Sequence, residues 1–379
     1  MSRRENILSN LDWLSIFLYA VLVFFGWLSI YSSSFGDDGA GIFDFSTRYG
    51  KQLLWIGLAA IMGIAILLID AKFFSAFAFW IYFLMLALLV SVLFFGKTVG
   101  GSTSWIVLGP VSLQPSEFAK FATALAVARY LSLLHIDLSK LTTRFLVSLI
   151  VLMPAILILA QNDTGSALVY MAFVLVLFRE GLSGMIIILG LWMALLFILT
   201  LLFGEFYVMG VLSVVTLLLL LVTKPLKRRW KIVLSSLVIS VAFIFAVNHV
   251  FENLLEPHQK KRINVLLGIE KDIRGAGYNV NQSMIAIGSG GLTGKGFKQG
   301  MLTRYEFVPE QTTDFIFCTV GEEWGFLGVT TVIFVFVFLL IRLVVLAERQ
   351  RSKFRLRRIF PVGFYYPVFY FYETGCQQA

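Results

Sequence analysis

Ten apolar segments of near-spanning length divide this chain: 11–31, 51–69, 73–95, 116–134, 145–161, 165–179, 185–203, 206–223, 231–250 and 314–346. A helix needs about 20 mostly apolar residues to cross a bilayer core. Backbone in lipid must satisfy its own hydrogen bonds, so segments of this kind fold as helices and bundle. The segment at 165–179 is short, and the division between 185–203 and 206–223 rests on Gly204 and Glu205. Only 14% of residues are charged, against about 25% in soluble domains. The expected fold class is an all-α polytopic membrane protein of about ten transmembrane helices.

The segments are joined by two alternating kinds of loop. One kind holds Ser2-Arg3-Arg4, Asp70-Ala71-Lys72, His135 to Arg144, Arg179-Glu180, Lys224 to Lys231 and Arg342 to Arg358, with the densest basic clusters. Basic loops stay cytoplasmic, which places the N-terminus inside as well. The other kind is then extracytoplasmic: 32–50, 96–115, 161–164, Gly204-Glu205 and a large loop at 251–313. The net charge of +9 is accounted for by anionic lipid at the inner surface, and no nucleic acid partner is implied. Cys318 and Cys376 lie far apart and form neither a disulfide framework nor a metal spacing. The scattered His135, His249 and His258 are expected in loops or at interfaces. MSRRENILSNLDW leads straight into a spanning run, so no cleavable leader is expected.

Two outer loops have character of their own. Residues 96–115 mix Gly, Ser and Pro with Trp105, Ile106, Val107 and Leu108, as an amphipathic loop that dips into the interface would. Residues 285–300, IAIGSGGLTGKGFKQG, are glycine-rich between apolar and aromatic flanks. Glycine lets backbone approach a ligand closely, so a nest of N–H groups for phosphate is one reading and a flexible linker the other. Neither a nucleotide P-loop nor a strand-linked GxGxxG is present. Within 251–273, Leu255, Ile263, Val265, Leu266 and Ile269 alternate with charge, which suggests a surface helix.

Charges in or beside spans are costly and point to function. Glu117 and Lys120 open the fourth span with i,i+3 spacing and can pair on one helical face. Asp163 sits between the fifth and sixth spans, Asp314 opens the last, and Arg48 precedes the second. Lys295, Lys298 and Arg304 crowd the large loop ahead of Asp314. Taken singly, these acids suit helix N-termini as caps. Taken together, they fit a polar cavity near the outer leaflet, where cations would meet an anionic diphosphate and a carboxylate would serve as base for a hydroxyl.

QPSEFAK (114–120), QNDTGSA (161–167), GAGYNVNQSMIAIGSGGLTGKG (275–296), FVPEQTTDFIF (307–317) and GEEWG (321–325) resemble, in order and spacing, the motifs of the SEDS family of RodA, FtsW and sporulation relatives. QNDTGSA and KGFKQG lean toward its RodA branch. The resemblance covers roughly residues 11–350 and implies a peptidoglycan glycosyltransferase in the bacterial cytoplasmic (inner) membrane. Such a protein polymerises lipid II on the outer face during cell elongation, beside a class B penicillin-binding protein that crosslinks the product. It places the family's essential aspartate on Asp314, its Glu and Lys on Glu117 and Lys120, its second Asp on Asp163 and a basic residue on Arg48. Asp314 is then the general base of an inverting transfer. Lys120, Lys295 and Arg304 are the candidate cations for the diphosphate. No metal-ligand spacing demands a cofactor, although a divalent cation such as magnesium could share the neutralisation.

Two departures accompany the resemblance. The family has one span between the QxDxG helices and the large loop, whereas this chain has three, 185–203, 206–223 and 231–250. Insertion of two spans preserves the orientation of everything after them. The family also continues beyond the GEEWG helix with two further spans, whereas residues 354–379 are rich in aromatics and lack an SYGG-type motif. The chain therefore divides into a transmembrane domain, 1–353, and an atypical tail that suggests a truncated or frame-shifted C-terminus. Two other classes stay open: a lipid II flippase or transporter, which many spans with intramembrane charges fit, and a non-catalytic scaffold for a penicillin-binding protein, which the truncated tail favours.

Overall fold

The computed structural model describes residues 11–34, 41–99, 101–109, 111–133, 136–222, 230–255, 257–269, 276–305, 307–309 and 311–349. Helices occupy the expected apolar segments. They are α1 (Trp13–Ser33), α2 (Arg48–Leu68), α3 (Ala71–Phe95), α4 (Pro115–Ser132), α5 (Leu141–Ala160), α6 (Thr164–Val169), α7 (Ala172–Arg179), α8 (Gly184–Phe203), α9 (Glu205–Val222) and α10 (Trp230–His249). The remainder are α11 (Pro257–Leu266), α12 (Ala276–Ser289), α13 (Met301–Arg304) and α14 (Ile316–Arg349). Eight of these helices are long and apolar enough to cross a membrane, and the protein is a multi-pass membrane protein. The two other expected spans deviate for physical reasons. Helix α4 carries Glu117, Lys120 and Arg129 on its 18 residues, and 164–179 breaks at Tyr170–Met171 into the short α6 and α7.

Polar residues at the loop ends start the spans. Asp12 caps α1 by accepting from Ser15 N, Thr47 caps α2 through Gly50 N, Asp70 caps α3 through Lys72 N and Asp163 caps α6 through Ser166 N. Each satisfies an N–H that the first helical turn leaves without a partner. Pro115 fills the first turn of α4, where its missing N–H costs nothing.

The chain forms two compact units, 1–181 with 282–379 and 182–281. In the second, α8, α9 and α10 pack on one another around Leu196, Val208 and Ile244, and Trp192 Nε1 donates to Ser240 Oγ at 3.2 Å. Gly204, at φ +83, makes the sharp α8–α9 turn expected at that position. A π-turn at Val250–Leu254 and helix α11 follow, so the segment expected to hold a helix does contain one.

In the first unit α1 packs on α2 and antiparallel to α14, and α3 packs on α4 and α5. Phe25 meets Trp324 with ring centroids 5.3 Å apart. At the start of α1, Asp12 takes a two-armed ion pair from Arg342: Nε to Oδ2 at 3.2 Å and Nη2 to Oδ1 at 2.6 Å.

The segment at 96–115 corrects the expected dipping loop. It is an antiparallel three-stranded meander, β1 (Lys97–Val99), β2 (Ser102–Leu108) and β3 (Val111–Leu113). Lys97 pairs with Trp105, and Leu108 pairs with Val111. Thr103, Trp105, Ile106 and Val107 in β2 are residue types that favour a half-buried strand. Trp105 is buried, and Thr103 N donates to Gln161 O at 2.9 Å, which fastens the meander to the end of α5. The tail at 354–379 lies outside the described residues.

Candidate functional site

Arg48 is placed by the turn that precedes its helix. Asp44 Oδ1 accepts from Ser46 N at 2.9 Å and Ser46 Oγ at 2.7 Å, which holds that carboxyl below its usual range. The Asp44 carbonyl accepts from Thr47 Oγ1 at 2.7 Å and so sets the cap of α2. Arg48 then follows, and its Nη1 donates to Thr312 Oγ1 at 3.0 Å. Thr312 lies in the tight turn 311–315 that leads into α14, together with buried Gln311 and exposed Asp314. Gln311 Nε2 donates to Thr303 O at 2.6 Å and to Ser33 O at 3.3 Å. The stretch before Asp314 is thereby held between the end of α1 and the start of α2.

Helix α14 is kinked at Gly325, φ +62 and ψ −160, a conformation only glycine adopts readily. A kink of this kind strands backbone groups in a buried helix. The glycine-rich segment satisfies them. Lys295 N and Gly296 N donate to Glu322 O and Glu323 O, each at 3.0 Å. In return, Phe326 N and Leu327 N donate to Gly291 O and Leu292 O at 2.9 and 3.1 Å. A Cβ on Gly294 would fall 2.1 Å from Glu323 O. The glycines permit backbone contact, as expected, but the contacted partner is the kinked helix. This corrects the flexible linker, and it takes the N–H groups of 295 and 296 out of any phosphate nest. The first part of the segment is also helical, as the end of α12.

Beside the kink lie two buried carboxylates. Glu322 accepts from Lys295 Nζ at 2.8 Å, Leu302 N at 3.0 Å, Thr303 N at 2.8 Å and Thr303 Oγ1 at 2.6 Å. Glu323 Oε1 accepts from Ser32 Oγ and, at 3.1 Å, from Lys298 N. The Lys298 ammonium lies 4.0 Å over the Tyr31 ring.

The second polar group is built on α4 and α6. Lys120 Nζ lies 2.7 Å from both Glu117 carboxylate oxygens, and the two side chains are almost fully buried. Asp163 is buried, caps α6 through Oδ1 and accepts from Gln114 Nε2 at 3.0 Å through Oδ2. The Ser116 and Ser166 hydroxyls are buried beside these charges without a protein partner, the kind of site at which internal water binds.

The structure thus brings Arg48 to the turn carrying Asp314 and forms the expected Glu117–Lys120 pair. It places Asp163 in the same polar group as that pair. Lys295 Nζ lies 2.8 Å from Glu322 Oε1 and 2.9 Å from Ser289 Oγ, against the kinked helix rather than beside Asp314. Arg304 ends α13 and is exposed. Glu322, Glu323, Gln311, Thr303 and Ser32 were absent from the expected site. Two acids inside a 34-residue apolar helix were the available signal, because intramembrane carboxylates are expensive.

The family model FTSW_RODA_SPOVE, described as cell cycle protein, matches residues 12–209 and 178–372. The peptidoglycan glycosyltransferase RodA of Treponema pallidum (strain Nichols) is 32% identical over 344 residues, 84% of this chain and 78% of that protein. The peptidoglycan glycosyltransferase MrdB of Escherichia coli (strain K12) is 30% identical over 346 residues, 91% and 78%. A chain of a solved peptidoglycan synthase complex that coordinates polymerization and crosslinking has the same fold, with a TM-score of 0.64 at 23% identity over 93% of this chain and 83% of that one. The crystal structure of the Thermus thermophilus rod shape determining protein RodA gives 0.55 at 23% identity, over 95% and 82%.

Proposed function

The chain belongs to the FtsW, RodA and SpoVE family of cell cycle proteins, and we propose that it is a peptidoglycan glycosyltransferase that polymerises lipid II into glycan strands during cell elongation. Its similarity to the RodA and MrdB glycosyltransferases supports this function. Asp314 acts as general base and takes the proton of the acceptor sugar's 4-hydroxyl. The freed oxygen attacks the anomeric carbon of the donor. The bond to undecaprenyl diphosphate breaks and its electron pair leaves with the diphosphate. One displacement inverts the anomeric centre, through an oxocarbenium-like transition state. Lys120, Arg48 and Arg304 neutralise charge developing on the leaving group, and Glu117 holds Lys120 in place. Lys295 serves the fold through Glu322. No resident cofactor is needed. Magnesium would enter on the substrate's diphosphate, so a chelator arm belongs in the assay.

One observation carries the site assignment. Arg48, Glu117 and Asp163 sit at helix N-termini and Asp314 lies two residues before α14; with α4 and the α6–α7 pair counted as crossings beside the eight long spans, alternation would bring those ends to one membrane face. Lys72, Lys140, Arg144, Arg179 and Arg349 fall at the opposite ends of their spans. The positive-inside rule makes that opposite face cytoplasmic. The N-terminus is then inside, the membrane is the bacterial cytoplasmic membrane, and the reacting face looks outward. The likeness to a peptidoglycan synthase complex supports a class B penicillin-binding protein as the crosslinking partner.

The test is lipid II polymerisation by the purified chain with its cognate transpeptidase, wild type against Asp314→Asn. Long glycan from the wild type alone supports the assignment. Equal glycan from both would remove Asp314 from the mechanism. A chain that moves lipid II across vesicles without lengthening it would be a flippase.

A further inference from the structure

The end of α1 is gripped from two sides. The Ser32 hydroxyl donates to Glu323 Oε1, and the Ser33 carbonyl accepts from Gln311 Nε2 at 3.3 Å. Gln311 lies three residues before Asp314 in the same turn. The Glu323 oxygen that binds Ser32 also binds Lys298 N at 3.1 Å, at a residue held at φ +60. A left-handed backbone costs about 1–2 kcal/mol outside glycine, so something must hold it. Glu323 is only 2% exposed, and its other oxygen, Oε2, is buried without a hydrogen-bond partner. All the hydrogen-bonding work of this carboxyl is therefore done by Oε1, on two chain segments distant in sequence. Neither the proposed mechanism nor the cation set uses Glu323.

We infer that Glu323 is a positioning residue for the transfer: by fixing Ser32 it fixes Ser33, by which Gln311 and then Asp314 take their register, and by fixing Lys298 N it sets the loop that closes on α1. This rests on the glycosyltransferase assignment. The action is geometric and needs an acceptor oxygen at Oε1. Glutamine supplies that oxygen, whereas alanine removes it.

The experiment measures kcat and KM for lipid II polymerisation by the full chain with its transpeptidase, together with thermal unfolding in detergent. The variants are Glu323→Ala, Glu323→Gln, Ser32→Ala and, as a destabilised control at the far end of α1, Asp12→Ala. A misplaced base should lower kcat of Glu323→Ala by about tenfold or more while KM stays within about threefold. Glu323→Gln should stay within about threefold of wild type in kcat. Ser32→Ala should fall between them, and it decides the matter if Glu323→Ala does not fold. Asp12→Ala should lose thermal stability and keep its kcat. The inference is overturned by full activity in both Glu323→Ala and Ser32→Ala, by Glu323→Gln as defective as Glu323→Ala, or by Asp12→Ala losing kcat in step with its stability. Failure of the wild type to polymerise lipid II would overturn the glycosyltransferase assignment and this role with it. An active wild type with Glu323→Ala and Ser32→Ala both unaffected overturns only the role of Glu323.

Discussion

Three glycines within seven residues of one motif should respond to alanine in three different ways. Gly288 lies within α12 with open space around its missing Cβ. Alanine there removes the helix penalty of glycine and should stabilise by about 0.5–1 kcal/mol. Gly291 has φ +58 and equally open surroundings, so alanine should cost only the left-handed strain, about 1–2 kcal/mol. Gly294 has φ +80, and a Cβ would lie 2.1 Å from Glu323 O and 2.4 Å from Glu323 C. Both are main-chain atoms, so relief requires a backbone shift on the order of 1 Å. That shift breaks the adjoining bonds from Lys295 N to Glu322 O and from Gly296 N to Glu323 O. Two buried bonds at about 1–2 kcal/mol each, added to the strain of about 1–2 kcal/mol, put Gly294→Ala near 4 kcal/mol. The assay is thermal unfolding of the three purified variants in one detergent. The expected order of melting temperature is Gly288→Ala above wild type, Gly291→Ala slightly below and Gly294→Ala far below. Gly294→Ala melting with Gly288→Ala would refute the docking of this segment on the kinked helix.

Single contacts elsewhere in the fold give further tests. Lys120→Met leaves Glu117 buried without its cation and should cost about 3–5 kcal/mol; pairing it with Glu117→Gln should recover most of that loss in the same melts. Arg342 holds the Asp12 carboxyl down at about 2, below its ordinary 3.8, mainly by hydrogen bonding. A depressed carboxylate stabilises above its unfolded value, and the contribution fades as pH falls from about 4 through about 2. The full shift would correspond to about 2 kcal/mol, and partial exposure reduces this to roughly 1 kcal/mol. Asp12→Asn should therefore melt lower than wild type at pH 7, and the gap should close under strong acid; a gap that persists there would assign the effect to packing. Gln311→Ala should lower the polymerisation rate more than the affinity for lipid II, read as a kcat change at steady KM.

The membrane architecture was legible because burial in lipid is set by local sequence. A segment such as 184–203 has no alternative to a helix once water is absent. The i,i+3 spacing likewise fixed the Glu117–Lys120 pair, since neighbours on one helical face need no tertiary information. The meander at 97–113 was harder to read. Its strands are three and seven residues long, too short for periodicity to separate a strand from an amphipathic loop. It is also anchored by Gln161, distant in sequence.

The spans, the alternation of their ends and the placement of Arg48, Glu117, Asp163 and Asp314 at or just before helix starts could be read from local sequence. These follow from hydropathy, helix period and capping, which act over a few residues. Which partner each charge takes depends on packing between distant segments. Lys295 lies near Asp314 in the chain and was equally suited to a diphosphate, yet its ammonium is held by Glu322, 27 residues on. A glycine-rich stretch binds whatever backbone meets it, and here that is α14 opened by the kink at Gly325. A buried carboxylate must be satisfied by nearby donors, and which donors are nearby is set by packing across the bundle.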